Sequence, residues 1–232
     1  MNIRAKLGRL KRRVLGVVGG GSTAKAPIPA NSADYWNAKF QVPEFIYTTT
    51  ANQFVVELAT PLKPGRAIDL AGGEGRNTVW LAEQGWRAEN VDIARAGLDK
   101  TRRLADERGV ADRVTTTLGS ATDFQAKLAP ADLGVIAYLQ APQELLETAI
   151  ARMANQLRPG AHLIGVWHAL ENLEGGFGGP RDPRILAHGP HIRAACEAAG
   201  LRVKTCENRQ GKIQTTEGLK PSITLVLLAE KP

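Results

Sequence analysis

Ala67-Ile68-Asp69-Leu70-Ala71-Gly72-Gly73-Glu74-Gly75-Arg76-Asn77 is the stretch that decides the fold. A short apolar run leads straight into a glycine cluster and then into residues that suit a helix. Glycines adopt backbone angles that other residues avoid, and they let a ligand approach the main chain with no Cβ in the way. A strand, a glycine turn and a helix in this order form the first half of a βαβ unit. In a doubly wound sheet, ligands bind at the carboxyl edge where such turns lie.

Outward from this loop the pattern repeats. Short apolar runs predict strands at Ala67 to Leu70, Arg87 to Val91, Arg113 to Leu118, Asp132 to Tyr138 and His162 to Trp167. Helical spacing between them predicts helices at Arg76 to Gln84, Ala96 to Arg108 and Gln143 to Leu157, the last closed by the stop-and-turn sequence Arg158-Pro159-Gly160. A Gly/Pro-rich insertion, Glu171 to Pro190, precedes a helix around His191 to Ala199 and strands at Leu201 to Glu207 and Ile223 to Ala229. Strands alternating with helices predict an α/β, Rossmann-like, doubly wound and mostly parallel sheet. One domain over residues 31–232 accounts for the length, and no internal repeat is visible.

The loop chemistry narrows the ligand. A dinucleotide fingerprint would need GxGxxG, but Gly73 and Gly75 are followed by Thr78 where the third glycine belongs. Asp69 and Glu74 would also set negative charge where a pyrophosphate seeks a helix N-terminus, so a dinucleotide-dependent oxidoreductase fits poorly. A zwitterion carrying an ammonium and a sulfonium tolerates those acids. The second strand ends Val91-Asp92, and Asp92 lies 20 residues past Gly72, the spacing of an acid that accepts from ribose hydroxyls. Its structural alternative is an acid that caps the following helix.

At these residues the chain resembles the class I S-adenosylmethionine-dependent methyltransferases, and within them the tellurite-resistance and thiopurine methyltransferase group. The resemblance runs from about Ala33 to the C-terminus. It is carried by Tyr35-Trp36, Glu44-Phe45-Ile46-Tyr47, the glycine loop, Val91-Asp92, Tyr138-Leu139-Gln140, Leu157-Arg158-Pro159-Gly160, Asn172 to Gly176 and Gly179 to Pro183. It implies a seven-stranded sheet whose last strand is antiparallel, with S-adenosyl-L-methionine as cofactor. By position, Asp69, Ala71, Gly72 and Gly73 would surround the methionine end of the cofactor, with Arg76 and Asn77 at the same edge. Asp92 would hold the ribose, Ile93 and Ala121 would wall the adenine, and Ser120 stands where an acid commonly accepts from the adenine amino group. Gly72 stands where cysteine is frequent. Tyr138 would border the transferred methyl. Ser120, and Ala169 in place of an expected acid, leave open a noncatalytic cofactor-binding protein.

Methyl transfer needs chiefly an in-line approach, so a dedicated base is optional for soft nucleophiles such as thiols or chalcogen anions, which are slightly favoured as acceptors. A hydroxyl acceptor needs a base near neutrality, and His168, at the end of the fifth strand, is the best candidate. His188 and His191 are expected at the surface or as helix caps. Six of the twelve aromatic residues fall between Ser32 and Thr60. Residues 31–60 are therefore expected either as a lid facing the insertion, with Tyr35, Trp36, Tyr47 and Arg181 as acceptor contacts over a small enclosed pocket, or as plain packing against the domain. Arg181 and Asp182 would close over an anionic acceptor or form a salt bridge.

Composition limits the partners. The net charge of +7 is concentrated in residues 1–13, which carry six bases and no acid; elsewhere 24 bases meet 23 acids. A nucleic-acid substrate would call for a broad basic surface, which a near-neutral body does not promise, so a small-molecule acceptor is expected. Residues 1–30 are expected as a basic tail and linker, whose Ile3, Leu7, Leu10, Val14 and Val18 permit a short amphipathic helix and at most a membrane-surface role. Cys196 and Cys206 match no metal-ligand spacing and suit buried thiols in a reducing compartment, hence a cytoplasmic protein with no metal. Oligomeric state is not legible.

Overall fold

The computed structural model describes residues 32–215 and 218–232. The basic tail and linker expected at 1–30 lie outside the described residues. Seven strands form one sheet: β1 (Arg66–Leu70), β2 (Arg87–Asp92), β3 (Val114–Leu118), β4 (Ala131–Ala137), β5 (Leu157–His168), β6 (Arg202–Thr215) and β7 (Gly218–Glu230), in spatial order β3-β2-β1-β4-β5-β7-β6. The pairs from β3 to β5 are parallel, and β7 runs antiparallel to both neighbours. The seven-stranded, mostly parallel sheet with an antiparallel last strand is thus the one expected.

Alternation along the strands sorts the core into two layers, because successive side chains point to opposite faces. Ile68, Leu163, Leu225 and Leu227 pack on one side with α5 (Gln143–Ala154) and α7 (Gly189–Ala198), through Leu146, Ile150 and Ile192. Ala67, Ile164, Val166 and Val226 pack on the other with α2 (Gln53–Ala59), α3 (Arg76–Glu83) and α4 (Arg95–Glu107), through Val55, Leu81 and Leu104. Helix α1 (Ala33–Phe40) ends in the buried Phe40.

Three boundaries differ from expectation. Helix α5 stops at Ala154, and Arg158-Pro159-Gly160 lies inside β5. The turn chemistry is still expressed: Gly160 has φ +77, its N–H donates to Lys231 O at 2.7 Å, and the β4–β5 register jumps between Ala131 and Leu133. Strands β6 and β7 are also far longer than the runs at 201–207 and 223–229, since they pair from Arg202↔Glu230 to Thr215↔Gly218 with one register shift between Val203 and Thr205. Residues 208–215 and 218–222 are mostly polar and include Pro221, so their pairing was hidden from a hydrophobicity pattern. Cys206 consequently sits in the body of β6. Burial pushes its thiol up and that of Cys196 to about 12, and both are free.

Candidate functional site

Strand order reverses between β1 and β4, and open α/β sheets bind ligands beyond the carboxyl ends of the strands at such a switch point. Each of these ends carries a strained residue. Ala71 (φ 57) and Tyr138 (φ 61) are the non-glycine residues with positive φ among those described. Such conformations cost about 1–3 kcal/mol and persist where the surroundings impose them. Here the neighbouring strands do so: Ala71 N–H donates to Val91 O and Tyr138 N–H to Val166 O, both at 2.7 Å.

The loop from Ala71 to Gly75 is cross-braced from beneath. Asp92 accepts from Gly73 N–H at 2.9 Å through one oxygen and from Ala94 N–H at 2.8 Å through the other. These bonds leave each oxygen a lone pair for a further donor. Asn90, fully buried, donates to Gly73 O at 3.1 Å and to Thr101 Oγ1 at 2.7 Å. Thr78, in place of the missing third glycine, donates to Asp69 Oδ2 at 2.6 Å. Burial raises Asp69 to about 6 and also raises Asp92. Asp69 Oδ1 and Asn90 Oδ1 are buried acceptors with no protein donor. A Cβ on Gly72 would stand 2.6 Å from Asn90 Oδ1 and 2.8 Å from Asp69 Oδ2. The cysteine frequent at this place in related loops would therefore force both side chains to shift here.

Glu74 does not act as the sequence suggested. Its carboxylate accepts from Ile46 N–H and Tyr47 N–H at 3.0 Å and pairs with Lys100 at 2.7 Å, both side chains being 5% exposed. That charge is compensated within the protein, so of the two loop acids only Asp69 retains an unpartnered oxygen against a pyrophosphate. Asn77, nearly buried, accepts from Asn52 N–H at 2.9 Å.

Tyr138 and His168 meet with ring centroids 4.9 Å apart. The Tyr138 hydroxyl accepts from Asn52 Nδ2 at 3.2 Å, and the Arg76 guanidinium lies 5.5 Å from its ring centre. Gly179 of the insertion rests on the His168 imidazole, for a Cβ there would fall 2.6 Å from His168 Cγ. His168 Nδ1 is buried without a partner, and burial lowers the pKa of the ring, which favours a neutral, proton-accepting imidazole. Gln140 ties the surrounding pieces together, accepting from His168 N–H at 2.9 Å and donating to Ile185 O at 2.8 Å.

The remaining candidates are more dispersed. Ser120 is half-buried within hydrogen-bond reach of Thr122 Oγ1 at 3.0 Å, and Ala121 next to it and Ile93 next to Asp92 are half-buried too. The loop carrying Ser120 and Ala121 is held to β2 by buried Glu89, which accepts from Lys127 N–H at 3.0 Å and Leu128 N–H at 2.7 Å. Tyr35, Trp36 and Tyr47 surround the Lys39 ammonium, 4.7 to 6.0 Å from the three ring centres, and Lys39 donates to the Tyr47 hydroxyl. Arg181 is exposed and donates to Leu173 O at 3.3 Å. Asp182 pairs with Arg184, whose guanidinium draws the carboxyl down to about 2. His188 occupies the N-cap position of α7 but makes no capping bond; its ring meets His191 edge-on at 4.7 Å beside a cavity of about 180 Å³. No cluster of metal-ligating side chains occurs among the described residues.

Asn52 and Lys100 were not singled out from sequence, and Gly179 entered only as part of the Gly179 to Pro183 motif, without a role. Asn52 had a usable signal, being a capping residue just before the Phe54-Val55 apolar pair. A lysine within a polar helix gave none.

Residues 67–160 match the family model described as a methyltransferase domain. The chain is 28% identical over 144 residues to the tRNA 5-carboxymethoxyuridine methyltransferase of Escherichia coli (strain K12), a match covering 60% of this chain and 53% of that protein. The chain thus spans about half the length of the curated relatives it matches first. Among solved structures it is similar to TehB from Haemophilus influenzae, with a TM-score of 0.63 and 15% identity over 86% of this chain and 67% of that one. It is also similar to the glycopeptide N-methyltransferase MtfA complexed with S-adenosylmethionine, with a TM-score of 0.59 and 19% identity over 77% and 92% of the two chains. At these identities the likeness to solved structures is one of fold.

Proposed function

We propose that this chain is a class I S-adenosylmethionine-dependent methyltransferase, a reading supported by its fold and its match to a methyltransferase domain, and that it transfers the cofactor's methyl group to a small-molecule acceptor held beside Tyr138 and His168. The observation that carries the reading is the pair of strained residues, Ala71 and Tyr138, at the two strand ends that flank the switch point. The residues present fit the cofactor. Asp69 Oδ1 offers an unpartnered acceptor to the methionine ammonium, the loop is kept open by Gly72 and Gly73, and Asp92 keeps lone pairs for the ribose hydroxyls.

Held by Asp69, the Gly72-Gly73 loop and Asp92, the cofactor would supply an electrophilic methyl to the acceptor's lone pair. The chain's own residues bind and orient. Neutral His168 takes the proton of a hydroxyl or amine acceptor, whereas a thiolate or chalcogen anion arrives without one. Gly179 over the imidazole and the segment at 44–52 wall the site, which supports a small acceptor, and so does the near-neutral charge of the chain beyond residue 13.

The likeness to a tRNA methyltransferase favours a second reading, a nucleic-acid acceptor. One experiment separates the two. Protein given cofactor labelled in its methyl group is expected to label members of thiol, chalcogen, amine or hydroxyl small-molecule pools; label found in bulk tRNA alone would overturn the first reading and establish the second.

Asp69 also gives the site a pH dependence. Its folded pKa is raised to about 6, so without ligand its contribution to stability is fully present below the unfolded value and is lost as pH rises towards 6. A bound ammonium favours the charged carboxylate, so binding below about pH 6 expels a proton. Affinity for S-adenosylhomocysteine is therefore expected to fall towards about tenfold per unit as pH drops below 6, with little change between about pH 7 and 8. Calorimetric titrations across that range check it, and Asp69→Asn should flatten the profile.

A further inference from the structure

We infer that Glu74 and Asn77 act as positioning residues that clamp residues 44–52 as a fixed wall over the cofactor loop, with buried Lys100 as counter-ion. The inference rests on the functional reading above and extends it, since neither residue is then needed as a direct cofactor ligand. The two anchors lie three residues apart on the glycine loop and the first turn of α3, and they grip opposite ends of the same segment.

At one end, Glu74 accepts from Ile46 and Tyr47 N–H, while Lys100 donates to Glu74 and to Glu44 O at 2.5 Å. At the other, Asn77 accepts from Asn52 N–H, and Asn52 passes the constraint to the Tyr138 hydroxyl. Arg103 braces the outside, donating to Pro43 O at 2.8 Å with its guanidinium 4.6 Å from the Phe45 ring centre. A segment without regular secondary structure is thus held by charge-assisted bonds from two buried side chains. Placed this way, it fixes the distance between the cofactor loop and Tyr138.

A buried ion pair broken on one side leaves an uncompensated charge, so Glu74→Gln and Lys100→Met singly should melt early. The double variant removes both charges and should regain much of the wild-type Tm. Fixing the wall is a separate matter, because the double variant still lacks the Lys100 bond to Glu44 and the full carboxylate grip on 46–47. Glu74→Gln/Lys100→Met is expected to bind S-adenosylhomocysteine about tenfold more weakly despite its recovered Tm. Chymotryptic cleavage after Phe45 and Tyr47 should be about tenfold faster.

Arg103→Ala, at the exposed outer brace, keeps the inference testable should the double variant not fold, and is expected to speed that cleavage about threefold. Affinity and protection that recover together with Tm would reduce the pair to a packing element and overturn the inference. An Arg103→Ala protein cleaved at the wild-type rate would do the same. Wild-type protein that protects the strap but does not bind S-adenosylhomocysteine would instead sink the functional reading and leave the clamp standing.

Discussion

Replacing Asp92 by alanine is expected to weaken S-adenosylhomocysteine binding by about 100-fold or more. Two ribose hydroxyls donating to a charged acceptor account for about 3 kcal/mol at about 1.5 kcal/mol each, and each 1.4 kcal/mol is a factor of ten. The loop itself adds to the loss. Gly73 and Ala94 N–H both donate to this carboxylate, so the alanine also releases the glycine loop from β2. Asp92→Asn keeps one oxygen acceptor and should fall between the two. Calorimetric titration of the three proteins, each first shown to be folded by circular dichroism, checks the ranking. Equal affinities would mean that Asp92 neither holds the ribose nor shapes the loop for the cofactor.

The largest stability effect is expected at Gly75, the N-cap of α3, where φ is +86. An alanine pays about 1–2 kcal/mol for that left-handed conformation. Its Cβ would also lie 2.5 Å from Thr101 Oγ1 and Cγ2 and 2.8 Å from Thr101 Cβ. Thr101 cannot retreat easily, being fully buried and bonded to Asn90 and to the backbone of Gly73 and Gly97. Overpacking of this kind costs about 1–3 kcal/mol, and at about 2–4 °C per kcal/mol the Tm of Gly75→Ala should drop by about 10 °C. A thermal melt decides it: a Tm within about a degree of wild type would show that the loop is not under the constraint described.

In the parallel half of the sheet, β1, β4 and the second half of β5 were legible as apolar runs bounded by turn chemistry, while β2, which carries Glu89-Asn90, and β3, which carries Thr115-Thr116-Thr117, followed from their alternation with helical patterns, which admits few topologies. The long β6–β7 pairing was not legible, since residues 208–215 and 218–222 pair through the backbone and carry little apolar signal. The glycine loop announced itself by composition, whereas the partners of its side chains did not. Glu74 looked from sequence like a charge facing the ligand, and only the fold brings Lys100 and the 46–47 backbone to it from elsewhere in the chain. Likewise His168 could be placed at a strand end, but its neighbour Gly179 depends on how the insertion returns over the sheet edge. Contacts set by a strand's own period are written locally; those made between a loop and a distant helix are not.

The cofactor is the central claim, and calorimetric titration of the wild-type protein with S-adenosylmethionine and S-adenosylhomocysteine near neutral pH tests it most directly. Saturable binding of both at one site per chain is the expected result; no heat and no saturation with protein shown to be folded would contradict it.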